Sequence, residues 1–248
     1  LDPAHLPSLE AMRNIYVDSG DWAAAAKVLT FEIEHTEKDR KRAALLVELG
    51  SIRSERLDDE AGAVTAFEAA SQADPDNEDA LLPLVDAYLA NERFEDAFPL
   101  LEVLVQRSDK RERDEQHRLA LMLGDTATSL ARPHDAVRAF ERAYELDNDD
   151  EIALKGLAGS YFRAEQWDDA FKYHQVLLVQ HRDALGRDEI TEVFYRLGVV
   201  KHEQGEAKKA RNMFEKALEE DSHFVPALEA MVGLQSGDGD WDSVVEFK

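Results

Sequence analysis

One short signal returns at nearly constant distance along this chain. Leu1-Asp2-Pro3, Ala73-Asp74-Pro75, Leu146-Asp147-Asn148 and Glu220-Asp221-Ser222 place an Asp at intervals of 72, 73 and 74 residues. The texture between the signals repeats as well. His5-Leu6-Pro7-Ser8-Leu9-Glu10-Ala11-Met12 is echoed by His223-Phe224-Val225-Pro226-Ala227-Leu228-Glu229-Ala230-Met231, and Ser19-Gly20-Asp21-Trp22 by Asp238-Gly239-Asp240-Trp241. A period of this kind builds a stack in which each unit buries its apolar face only against its neighbours. Such an object offers a long surface more readily than an enclosed catalytic pocket.

Composition narrows the partners. The chain has 248 residues, 44% of them hydrophobic, which is ample material for a core. No Gly/Ser-rich run interrupts it, so a single array over 1–248 is expected. With 53 acidic against 29 basic residues the net charge is −24, and a polyanion is repelled by nucleic acid and by anionic membrane. Zero cysteines exclude disulfides, thiolate zinc sites and cysteine nucleophiles, and fit a reducing compartment. No stretch approaches the roughly 18 unbroken apolar residues of a membrane span, and the N-terminus lacks signal-peptide shape. A cytoplasmic location is the expectation. The chain opens without Met and stops at Lys248 inside an expected helix, so we read it as a piece of a longer solenoid whose cut ends can self-associate.

Each repeat reads as two amphipathic helices and a short turn. In 117–150, Leu119, Ala120, Leu123, Gly124 and Ala127 recur at three- and four-residue steps and form one helical face. Arg132-Pro133-His134 makes the turn, with Pro133 where a new helix starts. Ala136, Phe140 and Ala143 form the inner stripe of the second helix, and Asp147-Asn148-Asp149-Asp150 closes it.

These residues resemble the tetratricopeptide repeat family, whose unit of about 34 residues pairs a Leu-Gly in its first helix with Ala, an aromatic and Ala in its second. The sequence supplies Leu123-Gly124, Ala136, Phe140 and Ala143, and again Phe194, Leu197-Gly198, Gly205, Ala210, Phe214 and Ala217. Leu49-Gly50, Ala63, Phe67, Ala70 and Pro75 fit with one extra residue in the turn between Arg56 and Gly62. Three further units are carried by Leu154, Leu157, Tyr161, Trp167 and Ala170; by Leu81, Leu84, Tyr88, Phe94 and Ala97; and by Leu9, Met12, Tyr16, Gly20, Trp22 and Ala25. Small residues sit where helices cross closely, and aromatics fill the holes opposite. The resemblance implies an all-α, right-handed superhelical solenoid of antiparallel helix pairs. Its repeats are 6–42, 43–77, 78–116, 117–150, 151–190, 191–224 and a partial 225–248 in which Leu228, Met231, Gly239 and Trp241 match. Intervals of 34 or 35 alternate with intervals of 37 to 40, the extra residues falling in charged connectors at 36–41, 107–113 and 181–187. A paired supra-repeat resembles the long tetratricopeptide scaffolds of delta-proteobacteria, which would make a Ras-like polarity GTPase an alternative partner.

Catalytic and metal motifs do not assemble. His174 and His181 share a helical face but no third ligand converges on them, so structural or surface roles are expected and no metal. Asp74-Pro75-Asp76-Asn77-Glu78-Asp79 suggests a calcium loop but lacks the Gly and Glu that wrap the ion; a helix cap is expected instead. There is no Gly-x-Ser-x-Gly elbow and no phosphate loop. We expect no cofactor and no enzyme.

What remains is the inner wall. In the family the first helix of each repeat lines the concave face, and transfer by register places Leu82, Leu89, Leu121, Met122, Phe162, Tyr195 and Val199 on it, with the acids Asp86 and Asp125. Those apolar positions read either as a partner-binding stripe or as packing between neighbouring first helices. Arg118, Lys155, Arg163 and Arg196 fall on the same face; beside Phe162 and Tyr195 they can clamp a carboxylate, or they pair with Asp86, Asp125 or Glu192. Chaperone-binding members clamp a peptide terminus with Lys, Asn and Arg, whereas the first three repeats here offer Glu10, Asn14, Glu48, Asp79 and Pro83. That clamp is absent. The expected function is a scaffold that binds a protein or peptide on its concave face, with an architectural spacer as the alternative.

Overall fold

The computed structural model describes residues 5–75 and 77–237. The Leu1-Asp2-Pro3 signal, Asp76 of the calcium-like loop, and the Gly239 and Trp241 matches lie outside the described residues. Among the described residues the chain is helical throughout, with no strand. It forms two compact units that divide between Asp109 and Lys110. The first contains α1 (Leu6–Ser19), α2 (Trp22–Glu34), α3 (Asp39–Leu57), α4 (Glu60–Ala73), α5 (Glu78–Ala90) and α6 (Phe94–Gln106). The second contains α7 (Arg113–Ser129), α8 (Pro133–Leu146), α9 (Glu151–Arg163), α10 (Trp167–Gln180), α11 (Arg187–Glu203), α12 (Ala207–Glu220) and α13 (Val225–Gly237). Within each unit every helix packs on the next, and successive first helices also touch, α3 on α5 and α7 on α9.

The long period has a physical cause: helix pairs of two kinds alternate. In the second, fourth and sixth repeats a glycine lets a phenylalanine ring lie directly on the first helix. A Cβ on Gly50 would come within 2.5 Å of the Phe67 ring, one on Gly124 within 2.8 Å of Phe140, and one on Gly198 within 2.4 Å of Phe214. The other three repeats carry Arg13, Val85 and Ala158 at the glycine position and Leu29, Leu101 and His174 at the ring position. Helix length alternates in step. The locked first helices α3, α7 and α11 have 19, 17 and 17 residues, against 14, 13 and 13 for α1, α5 and α9. The charged connectors supply the difference, because each locked helix starts four residues ahead of the repeat register, at Asp39, Arg113 and Arg187. In that added turn Arg113 donates from Nε to the Leu146 carbonyl at 2.6 Å, satisfying an orphan acceptor at the end of α8.

Turns are equally regular. Each pair reverses through one residue with positive φ: Gly20, Asp58, Glu92, Ala131, Glu165 and Gly205. Only two of the six are glycine, so four turns hold an ordinary side chain in the left-handed region at about 1–2 kcal/mol each. Short acids cap α2, α4 and α9, whereas α6, α8, α10 and α12 have no side-chain cap. Asp21 accepts from the Ala24 N–H at 3.1 Å, Asp59 from Gly62 at 3.0 Å, and Asp150 from Ile152 at 3.0 Å. Asn77 accepts from the Asp79 N–H at 3.2 Å, so the calcium-like loop does cap the helix that follows.

Unit 1 departs from the pattern at one place. Arg13 and Glu32 occupy the positions where the second repeat has Gly50 and Ala70. Glu32 is fully buried, with Arg13 Nη1 at 3.4 Å and Lys41 Nζ at 3.7 Å, and Arg13 also reaches Glu48 at 2.9 Å. A buried ion cluster thus stands in for a close contact of small residues. Burial pushes the Glu48 carboxyl above its usual range against the opposing pull of Arg13.

Candidate protein-binding face

Helix α9 begins where Asp150 caps it and runs Glu151-Ile152-Ala153-Leu154-Lys155-Gly156-Leu157-Ala158-Gly159-Ser160-Tyr161-Phe162-Arg163. Ala153, Leu154, Leu157, Ala158 and Tyr161 are buried and hold the helix in the stack. Gly156 has a packing role that the register did not assign. A Cβ there would lie 2.4 Å from the Phe140 ring, so Phe140 is wedged between Gly124 of α7 and Gly156 of α9. Gly159, one turn further, is covered by two guanidinium groups: its Cβ position is 3.5 Å from Arg196 Nη1 and 3.6 Å from Arg163 Nη1.

Around that point α9 and α11 form a mixed aromatic and cationic patch. Phe162 is half-buried, edge-on to Trp167 at 5.7 Å and to His174 at 6.1 Å, and Arg196 lies 5.6 Å over its ring. Arg196 is anchored one turn back on Glu192, with Nε to Oε1 at 2.7 Å. Lys155 bridges Glu151 and Glu189 at 2.5 Å each, tying α9 to α11; burial opposes its charge, but the two carboxylates outweigh that and raise its pKa. Arg163 is different. It is exposed and makes no hydrogen bond or ion pair with a described residue. Its side chain also walls a cavity of about 200 Å³ with Thr128, Arg132 and Ser160, and the Ser160 hydroxyl is buried without a hydrogen-bond partner.

The remaining wall residues divide by unit. In unit 1, Leu82 and Leu89 are half-buried and Asp86 is exposed; Leu89 packs on Phe67, Leu84 and Tyr88, while Asp86 borders a cavity of about 360 Å³ with Ser51, Ser54 and Glu60. In unit 2, Leu121 is half-buried against Ala120, Ala143 and Ala153, and Arg118 Nη1 approaches the Met122 sulfur at 3.7 Å. Asp125 has no ion pair with a described residue, and desolvation raises its carboxyl above the usual range. Tyr195 is half-buried beside Phe214 at 5.8 Å and Phe224 at 5.5 Å, and burial raises its hydroxyl pKa; Val199 packs on the same cluster.

Beneath the patch, His174 is 2% exposed, its Nδ1 is 2.7 Å from the Ala170 carbonyl oxygen, and burial lowers its pKa to about 4. Gly159, Ser160 and His174 border the patch in addition to the residues expected there. Their signal was present: a glycine at a wall register beside two arginines, and a histidine at the aromatic position. No group of three or more His, Cys, Asp or Glu among the described residues is placed to hold a metal ion. No described helix is long and apolar enough to cross a membrane.

Stacked antiparallel helix pairs, alternate ones locked by glycine–phenylalanine contacts, define a helical repeat protein. Sequence models of the tetratricopeptide repeat match residues 57–120, 117–150 and 149–219, an unbroken stretch of well over half the chain. The chain belongs to the tetratricopeptide repeat family, a family of protein-interaction scaffolds that are typically non-catalytic. No curated protein matches it in sequence. Among solved structures it is similar to YrrB, described as a tetratricopeptide protein with an unusual peptide-binding site, at 22% identity and a TM-score of 0.58, over 83% of this chain and 98% of that one. It is similar to MamA at 20% identity and TM-score 0.52, over 73% of this chain and 92% of that one. A tetratricopeptide protein from Parabacteroides merdae matches at 15% identity and TM-score 0.50, over 98% and 90% of the two chains. These likenesses are likenesses of fold.

Proposed function

We propose that the first-helix face of unit 2 binds a segment of a partner protein, with a partner carboxylate on Arg163 and an apolar side chain beside Phe162. Arg163 carries the reading. In a chain of net charge −24 it is exposed and has no carboxylate among the described residues, although Lys155 and Arg196 on the same face are both paired. A desolvated Arg–carboxylate contact is stronger and more directional than an exposed one, and the neighbouring ring supplies the apolar shielding.

The rival class is a spacer that separates other parts of a longer chain and leaves Arg163 without a ligand. Selection of random displayed peptides on the full chain separates the two. Enriched peptides should pair a carboxylate with a large apolar residue. Their calorimetric affinity should vanish for Phe162→Ala/Arg163→Ala while far-UV circular dichroism is unchanged. Undiminished affinity in that double variant removes the proposal.

A further inference from the structure

Unit 2 has a second candidate surface, walled by second helices and sharing no residue with the Phe162–Arg163 patch. Between α10 and α12 runs a furrow of about 460 Å³, lined by Lys172, Gln175, Val176 and Val179 of α10, by Met213 and Lys216 of α12, and floored by Phe194 and Leu197 of α11. The volume lies inside the range of roughly 300–1,000 Å³ usual for ligand sites.

Comparison with its neighbours shows why this furrow is open and apolar. At the register of Gln175, Val176 and Val179, helix α8 carries Glu141, Arg142 and Glu145, and α12 carries Glu215, Lys216 and Glu219. Only α10 of the three has exchanged those charges for a neutral stripe. The preceding furrow, between α8 and α10, is filled: Tyr173 stacks on Tyr161 at 5.3 Å and meets Tyr144 edge-on at 5.9 Å. At the register of Tyr173, α12 has the slimmer Met213, and the space stays open. Val179 is 83% exposed at the lip, an apolar residue left in water where a charged one stands in both neighbours.

The charge at the rim is opposite to that of the molecule. Lys172 and Lys216 stand on the two walls, over the Tyr173 ring at 4.6 Å and the Phe194 ring at 5.8 Å, and neither forms an ion pair with a described residue. Among the described residues no carboxylate lines the furrow. An apolar trough between two unpaired ammonium groups selects an apolar ligand with acidic flanks. The residues of α10 at steps of three, four and seven extend the trough over about 10 Å of helix, about two turns. That spacing matches the anchors of a partner helix lying in a groove between two others.

We infer that this furrow docks an acidic amphipathic helix of another protein, its apolar anchors on Val176, Val179 and Met213 and its flanking carboxylates on Lys172 and Lys216. The probe is a fluorescein-labelled synthetic helix with Leu at i, i+3, i+4 and i+7 and Glu elsewhere; the same peptide with Lys for Glu is its control. Binding to the full chain is read by anisotropy. The Leu/Glu peptide should bind, weaken with added salt, and lose at least tenfold in affinity for Val179→Asp and for Lys172→Glu/Lys216→Glu, changes on the rim that leave the core intact. The Leu/Lys peptide should not bind, and Phe162→Ala/Arg163→Ala should bind like the wild type. No binding, or unchanged affinity in both rim variants, overturns the inference. Loss confined to Phe162→Ala/Arg163→Ala moves the contact to the other face and overturns it as well. A wild-type dimer in sedimentation that Val179→Asp dissolves replaces the partner helix with a second copy.

Discussion

Two glycines three residues apart on α9 should answer the same mutation with opposite signs. Glycine to alanine inside a helix is worth about 1 kcal/mol in favour of the folded chain when the methyl has room. At Gly159 it does: the new carbon would meet only the ends of two arginine side chains, at 3.5 and 3.6 Å, ordinary contact distances. At Gly156 it would lie 2.4, 2.5 and 2.6 Å from three carbons of the Phe140 ring, about 1 Å inside normal contact. The ring has little room to retreat, because it lies so close to Gly124 on its other side that a Cβ there would come within 2.8 Å, and Phe140 is 2% exposed. Overpacking of this kind costs about 1–3 kcal/mol, and a ring pinned on both sides belongs at or above the top of that range. Net of the helix gain, Gly156→Ala should destabilise by about 2 kcal/mol and Gly159→Ala stabilise by up to about 1 kcal/mol. Urea unfolding by far-UV circular dichroism gives the global difference. Amide exchange on α8 and α9 shows whether the loss is local, as expected where each repeat contacts only its neighbours. A Gly156→Ala chain as stable as wild type, or two variants that fall together, would refute the wedge.

Three further outcomes follow from the same structure. Arg13→Ala should destabilise unit 1 by about 3 kcal/mol because Glu32 is left buried without its nearest cation, and Arg13→Ala/Glu32→Ala should recover most of the loss in urea midpoint. Ala131→Gly, at φ 53°, should stabilise by about 1 kcal/mol, whereas a turn that relaxes without strain would show no gain. His174 is held neutral in the folded chain with its pKa lowered from 6.5 to about 4, so the unfolded chain binds the proton more tightly. The stability this gives is complete above pH 6.5 and is lost as pH falls toward about 4, by about 3 kcal/mol in total. His174→Phe, which restores the aromatic of the repeat pattern, should flatten urea midpoints between pH 7 and 5.

The repeat architecture was legible because it is written in residue size. Gly50, Gly124 and Gly198 announce close crossings, and Phe67, Phe140 and Phe214 in the following helices announce what fills them. The long period was visible, but its cause was not: the connector residues could equally have formed loops, and instead they add a turn to α3, α7 and α11. The packing of Gly156 on a ring of the preceding pair was not legible, since that glycine lies outside the Leu-Gly positions of the repeat pattern. The cations show where sequence stops. Arg196 and Lys155 each have a glutamate four residues earlier, so their pairing could have been read locally. Arg163 has Gly159, Ser160, Gln166 and Trp167 at those spacings, which explains its missing partner within the helix, but its freedom from acids on other helices needs coordinates. The same holds for the furrow beside Val179, which depends on what α12 does not fill.

Amide exchange of the full chain, with and without a selected peptide, tests the central claim most directly. Protection should appear in α9 and α11 of unit 2, around Phe162 and Arg196, and should disappear in Phe162→Ala/Arg163→Ala. Protection confined to other helices, or protection that survives the double variant, would contradict a partner site on the first-helix face.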